Sequence, residues 1–84
     1  MNISRHHLLK AVGKLLKKHR LSLQLSQEAL GELAGLDRTY ISGVERGMRN
    51  PSLTALSSLA NALNITTAEL LQGLEELATE KGTE

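Results

Sequence analysis

Three residues, Gly35-Leu36-Asp37, separate two segments that each read as a short helix, and this spacing limits the fold more than any other feature. Before it, Ser26 is a good N-cap, Glu28 stands in a first turn where the helix dipole favours an anion, and Leu30, Leu33 and Ala34 form an apolar side. Gly35 stops this helix as a left-handed cap, which places it at about Gln27 to Ala34. Asp37 caps the next helix, about Arg38 to Arg46, with Ile41 and Val44 pointing inward and Gly47 closing it. A connection this short makes the two helices cross steeply.

The rest of the chain also reads as helix. Leu8, Leu9, Val12, Leu15, Leu16 and His19 recur at three- and four-residue steps behind Ser4, a plausible cap, so a first helix runs to about Arg20–Leu23. Lys10, Lys14, Lys17 and Lys18 lie off that stripe and make its back positive. Pro51 bars a helical Asn50, and Ser52 caps a fourth helix with the stripe Leu53, Leu56, Leu59, Ala60 and Leu63, ended by Asn64. Thr66-Thr67-Ala68-Glu69 has the form of a capping box ahead of a fifth helix carrying Leu70, Leu71, Leu74 and Leu77. No strand signal, repeat or low-complexity tract appears. With one aromatic residue, Tyr40, the core is aliphatic and mostly leucine, which favours helix. The expectation is an all-α, five-helix domain over residues 1–78, with 79–84 fraying for want of an apolar anchor.

Composition removes whole classes of function. Without cysteine there is no disulfide framework and no Cys-based zinc site. No apolar run approaches the ~18 residues of a membrane span. The start, MNISRHHLLK, lacks an uninterrupted apolar stretch with a small-residue cleavage site, so no secretion signal is expected. His6 and His7 point about 100° apart on a helix and lack a carboxylate one turn on, a poor metal chelate. No nucleophile elbow or glycine-rich phosphate loop is present, so neither catalysis, a cofactor nor a small-molecule ligand is expected. The net charge of +1 hides a division: nine basic against four acidic residues in 1–50, one against five in 51–84. A basic half of this kind suits a polyanion.

The stretch Gln27 to Arg46 meets every demand of a helix-turn-helix together. Gly31 gives a small residue where the helices touch, Gly35 gives the positive φ of the turn, and Leu30, Ala34, Leu36, Ile41 and Val44 give the inner faces. The outer face of the second helix is polar, with Arg38, Thr39, Ser42, Gly43 and Arg46 on it or beside it. The run LSQEALGELAGLDRTYISGVERGMRNPSL resembles the Cro/repressor-type (XRE) helix-turn-helix family over roughly Leu8 to Leu74. LDRTYISGVERGMRN is especially similar to the controller proteins of restriction–modification systems, small dimeric regulators that bind operators upstream of their own gene.

That resemblance implies a third helix lying in the major groove, with Arg38, Thr39, Ser42 and Gly43 at base-facing positions. Arginine can read guanine bidentately and threonine offers a methyl or a hydroxyl, whereas Gly43 has no side chain to read with. Ser26 and Gln27 match the helix end that meets phosphate, and Arg46, Arg49 and Asn50 match phosphate-contacting or loop positions. Tyr40 is placed with the DNA-backbone contacts through its hydroxyl, the alternative being packing between helices. Arg20 and Glu45 correspond to a structural ion pair. Gln24, which takes the left-handed conformation less readily than glycine, stands where the family has glycine. Leu71, Leu74 and Leu77 are expected to form a homodimer interface, the alternative being that they fold back on the domain's own core. The reading is a cytoplasmic, nucleoid-associated homodimeric regulator that binds duplex DNA at palindromes. A phage-type repressor or DNA-binding antitoxin, and a protein-interaction module without DNA binding, are the alternatives.

Overall fold

The computed structural model describes residues 2–82, with side chains through residue 79. All regular structure among these residues is helical: α1 (Arg5–Ser22), α2 (Gln27–Ala34), α3 (Arg38–Glu45), α4 (Leu53–Ala62), α5 (Thr67–Leu70) and α6 (Leu74–Gly82). No helix is long and apolar enough to cross a membrane. Each of the first five begins at the expected cap. Ser4, Ser26, Ser52 and Thr66 accept from the backbone N–H three residues on, and Asp37 from the one two residues on. Thr66 and Glu69 complete their capping box in both directions.

The expected fifth helix is broken into α5 and α6. Gly73 adopts φ +82°, outside the helical region, and the chain turns over residues 71–73 before the helix resumes at Leu74. Helix continues as far as Gly82; Thr83 and Glu84 lie outside the described residues. Ala78, which the leucine pattern did not include, is fully buried. Gln24 does take the left-handed conformation, at φ +56°, and closes the α1–α2 loop without glycine.

The core joins Val12 and Leu16 of α1, Leu30 of α2, Ile41 and Val44 of α3, Leu59, Ala60 and Leu63 at α4, and Leu70 of α5. Aliphatic side chains fill it throughout. α1 is the spine, packed against α3 on one side and α5 and α6 on another, while α2 bridges α3 and α4. Two glycines let backbones meet. A Cβ on Gly13 would lie 2.5 Å from the carbonyl oxygens of Val44 and Glu45, and one on Gly31 would lie 2.5 Å from that of Leu36. Contacts that short are forbidden, so α1 meets the C-terminal end of α3, and α2 the turn that leads into it, only because these positions lack side chains.

Candidate nucleic-acid interface

The α2–α3 turn is built from local bonds. Gly35 sits at φ +71°, and its N–H and that of Leu36 both reach the Gly31 carbonyl. Asp37 then opens α3, its Oδ1 accepting from the Thr39 N–H at 2.8 Å and the Thr39 hydroxyl at 2.6 Å. The hydroxyl bond, then the backbone bond, hold the Asp37 carboxyl below its ordinary range, with the Arg38 charge adding to them. Because the Thr39 hydroxyl proton is given to Asp37, the side chain offers outward a methyl group and lone pairs.

The underside of α3 carries a closed network. Arg20 Nε donates to Glu45 Oε2 at 2.6 Å and its Nη2 to Oε1 at 2.9 Å, a two-pronged pair with side chains only 9% and 4% exposed. Arg20 Nη1 donates to the Leu25 carbonyl, and Gln27 Nε2 donates to Glu45 Oε1 at 3.0 Å. The bond to Glu45 raises the Arg20 pKa above its ordinary value. The one carboxylate within α3 is thereby neutralised beneath the helix, and α1, α2 and α3 are tied at one point.

The outer face is cationic. Arg38 and Thr39 are exposed in the first turn, and Arg46 is exposed at the last, its Nε 3.3 Å from the Ser42 hydroxyl. Arg49 is exposed, its guanidinium carbon 5.6 Å from the centre of the half-buried Tyr40 ring, which packs against the core. Ser26 and Asn50 are exposed as well. Arg38, Thr39 and Ser42 therefore share one element, with Arg46 at its C-cap and Arg49 lying against it.

One position differs from the sequence reading. Gly43 is not an open groove-facing position; it is buried beneath the stem of Arg49, because the chain doubles back along α3 after Gly47. Gln27 is half-buried with its amide engaged by Glu45, since its place at the start of α2 sets it beside the Arg20 pair. The leucines of the C-terminal end are also less open than expected. Leu71 and Leu74 pack against the domain's own core, and Leu77 lines a groove between α1 and α6 flanked by Lys14, Lys18 and Glu76. All three are half-buried. Larger apolar exposure lies at Leu33, Met48 and Leu53, which the sequence stripes did not single out as surface.

Residues 16–70 match the model of a helix-turn-helix family, and the chain belongs to that family. Within it, the chain is similar to restriction–modification controllers. It is 49% identical over 61 residues to control protein C.SmaI of Serratia marcescens, a match spanning 70% of this chain and 73% of that one. The crystal structure of the controller protein C.AhdI from Aeromonas hydrophila aligns with a TM-score of 0.73 at 50% identity, over 74% of this chain and 94% of that one. A structure of the controller protein C.Esp1396I, as a tetramer with its natural 35 base-pair operator, aligns with a TM-score of 0.76 at 35% identity, over 86% and 95% of the two chains.

Proposed function

We propose that this chain is a homodimeric, sequence-specific DNA-binding regulator of transcription, a restriction–modification controller that acts on its own promoter. The observation that carries the reading is the arrangement of α3. Its outer face presents Arg38, Thr39 and Arg46, with Arg49 alongside, while its only carboxylate is bound to Arg20 beneath. Cations therefore outnumber carboxylates where phosphate would approach, Asp37 at the helix cap being the one acidic group beside Arg38 and tied to Thr39.

In this reading Arg38, Thr39 and Ser42 meet base edges in the major groove, Arg38 as a bidentate partner for guanine and Thr39 through its methyl. Ser26, Arg46, Arg49 and Asn50 set the register on phosphates, as do Gln27 through its backbone N–H at the start of α2 and Tyr40 through its hydroxyl. The partly covered Leu71, Leu74 and Leu77 form the dimer face. Two copies related by a two-fold axis place their α3 helices ~34 Å apart, one turn of DNA, and read a palindrome. Neither catalysis nor a cofactor enters, and the site of action is the bacterial cytoplasm, at the nucleoid. The test is selection of bound duplexes from a random pool by the full-length chain. A palindromic consensus with half-sites about one helical turn apart is expected; a pool that stays random after repeated rounds overturns the reading.

A further inference from the structure

Gly43 lies in the interior of α3, where glycine weakens a helix. Its φ is not positive, so no left-handed turn accounts for it. It is buried, yet not by the core. The three atoms nearest to a Cβ built there all belong to Arg49: Cγ at 2.5 Å, Nε at 3.5 Å and Cβ at 3.6 Å. Arg49 comes from the turn between α3 and α4, is itself exposed, and carries its guanidinium over Tyr40. Tyr40 and Gly43 stand three residues apart, and Thr39 and Gly43 four, so all three adjoin on the helix surface. The stem of Arg49 therefore lies on a bare strip of α3, and its head rests on the one aromatic ring of the chain.

We infer that Gly43 is a positioning residue for Arg49. Its missing side chain leaves a seat for the arginine stem, and the guanidinium becomes a fixed part of the DNA-facing surface instead of a cation swinging from a loop. The inference rests on the proposal that α3 faces DNA. A seated arginine has surrendered its rotamer freedom before DNA arrives, so a phosphate contact made by it loses less on binding. It also reaches one fixed place on the duplex, which sets register. The cation–π contact with Tyr40 holds the head where the bare glycine holds the stem.

Three variants of the full chain test this: Gly43→Ala, Arg49→Ala and the double variant, each measured by fluorescence anisotropy on the duplex selected from the random pool. Gly43→Ala is expected to fold with an unchanged or higher melting temperature, because the atoms it displaces are those of an exposed side chain and alanine is the better helix former. It should weaken binding by a factor close to that of Arg49→Ala, about tenfold, the order of one lost phosphate contact. The double variant should bind no more weakly than Arg49→Ala alone. A double variant that multiplies the two losses, or a Gly43→Ala chain that binds as tightly as the parent, overturns the inference. A readout without DNA separates it from the functional reading. In the parent chain the Arg49 side-chain resonances should be displaced by the Tyr40 ring current, and Gly43→Ala should move them toward values for a free arginine. Undisplaced resonances in the parent refute the seat whether or not the chain binds DNA.

Discussion

The two ends of this domain hold their helices by different means. Around α3, backbone meets backbone: α1 closes on it through Gly13 and α2 joins it through Gly31, each at distances that admit no side chain. At the C-terminal end, α5 and α6 rest on the body through Leu70, Leu71, Leu74 and Ala78. Backbone contact fixes position closely because it has no rotamers to adjust. Side-chain contact tolerates exchange among aliphatic residues of similar volume. The end that carries the arginine surface is thus the rigidly specified one, and the other end is the more adaptable.

The largest test of that contrast is Arg20→Met. It leaves the Glu45 carboxylate buried without its partner and the Leu25 carbonyl without its donor, so the expected loss is ~3–5 kcal/mol in chemical denaturation. A loss under ~1 kcal/mol would mean that the joint beneath α3 is dispensable. Next comes Gly13→Ala. The methyl collides with two carbonyls, and a cost of ~1–3 kcal/mol is expected although alanine is the better helix former. Gly73→Ala is the comparator. Nothing lies within 4 Å of its Cβ, so only the strain of φ +82° remains, roughly 1 kcal/mol. Equal losses for the two would erase the distinction between the ends.

Leu77→Glu probes the adaptable end. It should raise the dimer dissociation constant tenfold or more by sedimentation, about 1.4 kcal/mol, with little change in helicity. If the dimer survives it, Leu53→Glu should break it instead, because Leu53 has the greater exposure at 73%. The smallest effect concerns the caps. Asp37 at α3 and Glu69 at α5 both have carboxyls held below their ordinary values by threonine bonds: for Asp37 the hydroxyl of Thr39 and then its N–H, for Glu69 the N–H of Thr66 and then its side chain. Each lowered value means stability that is present above the usual carboxylate range and lost as pH falls through the folded-state value. In an NMR titration, Thr39→Val should raise the Asp37 midpoint and leave that of Glu69 where it was.

What could be read from the sequence follows the range of the interactions. The caps Ser4, Ser26, Asp37, Ser52 and Thr66 were legible because each bonds two or three residues ahead. Gly31 and Gly35 were legible because the turn they serve lies within the same short stretch. Arg20 and Glu45, 25 residues apart, came only through the family resemblance. Gly13 was missed although its signal was present, a glycine in a helix interior, because the leucine stripe on either side satisfied the pattern. The break at Gly73 was missed for the same reason. Gly43 carried the same signal of a glycine in a helix interior, but that Arg49 covers it was not legible, since that depends on the path of the chain after Gly47.

Gly13 and Gly31 have a mechanical consequence. An element in backbone contact at its C-terminal end, and fed by a turn in backbone contact with α2, has little slack with which to follow an imperfect partner. A duplex docking against α3 must therefore supply the compliance itself, by bending or by narrowing a groove, and that work depends on how stiff each base step is. Sequences would then be ranked partly at base pairs that no side chain touches, by their own elasticity.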